Sequence, residues 1–191
     1  MSQSVQQHPF FQHDKFLLAT YSSNCSGGMT VSKLPERWQA TMENNIQLAR
    51  LLDEAGIDFM LPIARWIGYG GETDFHGTVL ETMAWAATIL AHTKRITAFA
   101  TMHTVANHPV VLAKQIATLS EASGGRIGLN IVAGWNQPEY RAFGIDLPEG
   151  HDERYAMAQE WTDYVKKVWT KERFDWDGTY YQGENILGIP G

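Results

Sequence analysis

Apolar residues fall into short unbroken runs that alternate with helix-spaced sets. The runs cover 16–20, 57–63, 95–102 and 127–132. Each is short enough for a strand, and the lack of polar alternation reads as burial on both faces, as in a parallel sheet covered by helices. Pro62 sits awkwardly near the end of the second. Leu34, Trp38, Met42, Ile46, Ala49 and Leu52 recur at helical spacing, with Pro35 and Glu36 suited to the first turn and Ala55-Gly56 to the end. Leu80, Met83, Ala84, Ala87, Leu90 and Ala91 mark a second helix. Leu112, Ala113, Ile116, Ala117 and Leu119 mark a third, opened by Pro109. A fourth starts around Gly150 to Tyr155 and runs to about Trp169. This strict strand–helix alternation predicts an α/β fold with a parallel sheet. Residues 173–181 predict a hairpin around Asp177-Gly178, and 185–191 are too few to continue the alternation. Residues 1–15 read as a flexible lead-in to a domain over 16–191.

In such folds the loops at the strands' carboxyl ends carry the chemistry. Ala64 and Arg65 follow the second run, and Thr101 and His103 lie around the end of the third. The fourth run opens after Gly124-Gly125, contains the single polar residue Asn130, and breaks at Ala133-Gly134. A polar loop with Trp135, Asn136, Gln137, Glu139 and Tyr140 follows. Arg154 and Tyr155 fall in a helix's first turn, where free backbone N–H groups attract anions and an Arg suits a phosphate. A surface ion pair of Arg154 with Asp152 or Glu153 is an equal alternative. The small polar loop 22–28 either lies over a ligand or merely joins two elements. His76, His103, His108 and His151 fall in loops or at element ends, so His103 could be a base or a hydrogen bonder. No pair of histidines has helix-face metal spacing and no carboxylate pattern completes a triad, so no metal is expected. Gly68-x-Gly70-Gly71 does not follow a strand and open a helix, which rejects a dinucleotide fingerprint.

Composition narrows the classes. The 191 residues are 44% hydrophobic and 19% charged with a net charge of −6, which suits a globular protein and argues against nucleic-acid binding. A single cysteine, Cys25, makes neither an intrachain disulfide nor a cysteine metal cluster, and reads as an inert thiol. Seven Trp serve packing first, with a flat aromatic ligand as a second use. The polar opening is no signal peptide, and no apolar run approaches the ~18 residues of a membrane span. A cytoplasmic protein is expected.

Taken together, 55–59 (Ala-Gly-Ile-Asp-Phe), 68–75 (Gly-Tyr-Gly-Gly-Glu-Thr-Asp-Phe), 124–135 (Gly-Gly-Arg-Ile-Gly-Leu-Asn-Ile-Val-Ala-Gly-Trp), 138–140 (Pro-Glu-Tyr) and 151–155 (His-Asp-Glu-Arg-Tyr) resemble the bacterial luciferase-like flavin monooxygenases. The nearest likeness is to those acting on pyrimidines, dimethyl sulfone and alkanesulfonates. The resemblance implies a (β/α)8 TIM-barrel type, of which this chain supplies about four β/α units as its N-terminal half. Such a barrel typically has ~250 residues. It implies reduced FMN, supplied by a separate flavin reductase, and O2, one atom of which enters a small sulfur- or nitrogen-containing substrate. Ala64, Arg65, Asn130, Glu139, Arg154 and Tyr155 match cofactor-binding positions. Thr101 is a further cofactor neighbour, Trp135 a substrate neighbour and His103 a catalytic candidate. Besides substrate and reductase, further copies of the chain are expected as partners, in a homo-oligomer; nucleic acid and membrane are not. Two alternatives are an F420-dependent hydride-transfer oxidoreductase of the same fold and a non-catalytic flavin-binding half-barrel module.

Overall fold

A computed structural model describes residues 10 and 15–188, so most of the expected lead-in lies outside the described residues. The chain divides into two compact units. One holds the described residues up to Ile63 together with Gly68–Ala100, and the other holds Ala64–Ile67 and everything from Thr101 onward.

The first unit contains β1 (Ala19–Tyr21), α1 (Met42–Ala55), β2 (Phe59–Leu61), α2 (Thr82–His92) and the start of β3 (Thr97–His103). β1 pairs parallel to β2, Ala19 facing Phe59 and Tyr21 facing Leu61, and β2 pairs parallel to β3 through Phe59–Thr97 and Met60–Ala98. α1 begins where Thr41 caps it, its hydroxyl accepting from Asn44 N at 3.1 Å, and ends at Gly56, whose φ of 79° suits a residue without Cβ. Asp53, near that end, accepts N–H bonds from Lys94, Arg95 and Ile96 at 3.0, 2.7 and 2.6 Å. Burial alone would raise its pKa, but these three donors prevail and hold the carboxyl below its ordinary value. The Trp85 indole, fully buried, donates to Asn45 Oδ1 at 2.8 Å and so pins α2 to α1.

The loop 22–28 folds inward. Asn24, fully buried, donates to the carbonyls of Ile63 and Leu80 and accepts from Ile63 N, so its amide replaces a strand's hydrogen bonds. Cys25 is fully buried beside it. This loop is scaffold within its unit.

The second unit contains a 3-10 turn (Thr104–Ala106), α3 (Pro109–Ser123), β4 (Ile127–Val132), α4 (Gln137–Ala142), α5 (His151–Thr170) and an antiparallel pair, β5 (Arg173–Asp177) and β6 (Gln182–Leu187). α5 carries two tryptophans whose indoles donate to backbone carbonyls: Trp161 to Asn107 O at 2.6 Å and Trp169 to Ala113 O at 3.0 Å. The β5–β6 turn is tied to α5 by Glu160, which accepts from the N–H groups of Thr179, Tyr180 and Tyr181 and from the Trp176 indole. Tyr164 stacks on Trp176 at 4.6 Å with the rings 5° apart.

The sheet order β1-β2-β3-β4 makes β1 and β4 the outer strands. The expected burial on both faces therefore holds for β3 and fails for the outer pair: Tyr21 is 51% and Ile131 38% exposed. β1 also lies later than the apolar run suggests. α1 begins at Met42, not around Pro35, because the Trp38 indole is drawn to Ser23 O and Thr41 supplies the cap; Leu34 is left 66% exposed. The hairpin extends to Leu187 and takes in residues expected to form a plain tail.

Candidate active site

Every residue expected at the site lies in the second unit, at or just past the ends of β3 and β4, in Ala64–Ile67 or near the starts of α4 and α5. Two clusters form there.

The first is built by α4, a short helix that the apolar pattern misses. Its first turn combines Pro138 and Glu139, the kind of start that could have revealed it. Glu139 is 1% exposed, and its Oε1 accepts from Trp66 N at 2.9 Å and Ile67 N at 3.3 Å and faces Arg65 Nη1 at 3.4 Å. The Arg65 side chain, 8% exposed, is thus in an ion pair and not in solvent. Its guanidinium carbon lies 5.5 Å from the centre of the Trp135 ring.

Tyr140, the next residue, is fully buried with its hydroxyl 2.6 Å from His103 Nδ1, and His103 Nε2 lies 3.3 Å from Ala64 O. A carbonyl only accepts, so Nε2 carries the proton and the neutral ring accepts a hydrogen bond from the Tyr140 hydroxyl at Nδ1. Burial pushes His103's pKa below its usual value, against the pull of Glu139 in the other direction. Burial likewise raises the Tyr140 phenol far above its usual range, with Glu139 adding to the shift. Close by, Asn130 donates its amide N–H to Thr101 Oγ1 at 3.2 Å, joining β4 to the end of β3.

The second cluster surrounds a cavity of about 420 Å³ where β4 ends and α5 begins. Ile131 to Trp135 form one wall, and His151, Arg154, Tyr155, Ala158, Gln159 and Thr162 the other. Sequence reasoning found Arg154 and Tyr155; the deeper wall at 158, 159 and 162 was legible as the same helix face continued. Trp135 is 65% exposed, and His151 stacks on Tyr155 at 4.5 Å. Arg154 makes no ion pair with Asp152 or Glu153. Its Nη1 donates to Pro148 O and Glu149 O at 2.8 and 2.7 Å, while its buried Nε has no partner among the described residues. Gly150, which caps α5, offers no side chain to the first-turn N–H groups. Among the described residues no group of three or more His, Cys, Asp or Glu side chains could hold a metal ion, and no described helix is long and apolar enough to cross a membrane.

The family model for luciferase-like monooxygenases matches residues 18–191. The chain belongs to that family. Among curated luciferase-like relatives, it is 33% identical over 165 residues to an FMNH2-dependent dimethylsulfone monooxygenase of Pseudomonas putida, covering 86% of this chain and 44% of that protein. It is 31% identical over 166 residues to the pyrimidine monooxygenase RutA of Methylorubrum extorquens, covering 86% and 46%. The chain thus spans a little under half the length of these relatives. In fold it is similar to the solved EDTA monooxygenase of Chelativorans sp. BNC1, with a TM-score of 0.78 at 23% identity over 92% of this chain and 48% of that one. An F420-dependent secondary alcohol dehydrogenase shares the fold at a TM-score of 0.73 and 16% identity, over 91% and 48%. The fold is α/β of the TIM-barrel type seen in these monooxygenases, and the chain covers about half of each.

Proposed function

We propose that the protein is an FMN-dependent monooxygenase, or the N-terminal part of one, that oxidises a small sulfur- or nitrogen-containing organic substrate with O2. The observation that carries this reading is the cavity at the start of α5. Arg154 and Tyr155 line it with a guanidinium and a phenol, the first turn of α5 beside it has no side-chain cap, and the buried Arg154 Nε has no partner among the described residues. That donor set fits a phosphate monoester such as the one ending FMN's ribityl chain. Asp152 and Glu153 share the first turn but do not line the cavity.

On this reading Arg154 and Tyr155 bind the phosphate. Ala64, Arg65, Thr101, Asn130 and Glu139 surround the remainder of the cofactor, and Trp135 stands toward the substrate. The chemistry supplied by reduced FMN, when bound, is activation of O2, with one oxygen atom inserted into substrate and the other released as water. The chain's part is to orient both molecules and exclude water. For His103 to accept a proton at Nδ1, Tyr140's hydroxyl must first turn away. A flavin reductase supplies the reduced cofactor, and the chain works as a homo-oligomer in the cytoplasm.

FMN titration followed by flavin fluorescence, with light scattering on the same samples, tests this. Arg154→Ala is expected to weaken FMN binding by roughly tenfold or more, the value of one charged hydrogen bond, while Cys25→Ala binds as the parent does. Equal effects of the two substitutions would overturn the site. The likeness in fold to an F420-dependent dehydrogenase supports a second reading, hydride transfer with F420. Saturable binding of F420 without binding of FMN would select it.

A further inference from the structure

Beyond any contact with a cofactor, Glu139 has work to do inside the protein. A carboxylate that is 1% exposed needs close partners, and three donors converge on its Oε1: Trp66 N, Ile67 N and Arg65 Nη1. Tyr140 reaches the same segment at its other end, through His103 to Ala64 O. Two consecutive residues of α4 therefore fix Ala64–Ile67 along its length. The Arg65 guanidinium so placed lies against the Trp135 ring, 5.5 Å from its centre. Trp135 is 65% exposed, yet it forms part of the cavity wall. The helix buries the charge, the charge aims the arginine, and the arginine offers a flat cation to the indole.

We propose that Glu139 is a positioning residue: acting through Arg65, it holds the Trp135 indole in place as the aromatic wall of the cavity. The proposal rests on the functional reading only in taking that cavity for the cofactor's, and the contact chain itself can be tested without cofactor.

The full chain is labelled with fluorotryptophan, and the Trp135 fluorine resonance is assigned by its loss in Trp135→Phe. Glu139→Gln keeps an oxygen for the Trp66 and Ile67 N–H groups but removes the charge that aims Arg65. It is expected to move the Trp135 resonance in the same direction as Arg65→Met does. A role confined to stabilising the fold would not single out this resonance. Both variants are also expected to weaken FMN binding by about tenfold, the loss of one aligned cation–aromatic contact. A Trp135 resonance that moves in Arg65→Met but stays put in Glu139→Gln overturns the proposal. Should Glu139→Gln fail to fold, Arg65→Lys decides. It preserves the charge opposite Glu139 while removing the planar face, so an unmoved resonance again overturns the proposal. Movement of the resonance in a chain that binds no FMN, parent included, upholds the positioning role and removes the cofactor reading instead.

Discussion

His103 uses both ring nitrogens inside the chain, one toward Tyr140 and one toward Ala64, and this makes its protonation a matter of stability. Its ring protonates near pH 6.5 when unfolded and only at lower pH when folded, because burial disfavours the charge. The stability owed to the neutral ring is therefore complete above pH 6.5 and is lost as pH falls through the folded value. Calorimetry across that range is expected to show Tm dropping on acidification, with a shallower drop in His103→Gln. Tyr140→Phe leaves a buried Nδ1 without its donor and is expected to cost about 1–3 kcal/mol. It also frees that nitrogen to protonate in the folded chain, which brings the folded value closer to the unfolded one and makes the acid drop shallower. None of this is legible locally. Glu139 and Tyr140 stand out in the sequence as a polar pair after an apolar run, but only the fold brings them to residues 64–67 and 103. Arg154 was more legible, because a helix start and a cavity wall coincide in one turn.

Elements whose limits come from local chemistry were read well, and those limited by their neighbours were not. β4 spans the residues its apolar run predicts, and α3 opens at Pro109 and closes at Gly124. β1 and β2 are shorter than their runs because each pairs over only three residues with its neighbour. α4 is too short for apolar periodicity to register. It nonetheless imposes a demand on β4's exit: Gly134 has φ of 100°, and a Cβ there would meet the Tyr140 hydroxyl. Gly134→Ala is expected to cost about 1–3 kcal/mol by denaturant unfolding. At the far end of the unit, Glu160 gathers the β5–β6 turn by four donors. Glu160→Ala should raise amide exchange at Thr179, Tyr180 and Tyr181 while leaving α3 protected. Slow exchange at all three in the variant would show that the turn stands without the carboxylate.

For the molecule as a whole, the family match and the α/β alternation agree, while the chain spans a little under half of its curated relatives. Apolar side chains at β1, Leu18 at 60% and Tyr21 at 51% exposure, sit beside a strand at the sheet's edge. If further copies of the chain meet there, Leu18→Lys with Tyr21→Lys should lower the mass seen by light scattering, and FMN binding should fall with it. A mass independent of both substitutions would show that this edge carries no association. A different constraint comes from the paired indoles of α5. Trp161 and Trp169 stand about two helical turns apart, and each is tethered to a fixed carbonyl, at Asn107 and at Ala113. One tether would let the helix pivot or slide; two forbid both. Each added residue rotates a helix by about 100°, so a single insertion between the two indoles would throw one of them off its carbonyl. The span between the two tryptophans is a ruler with its length already set.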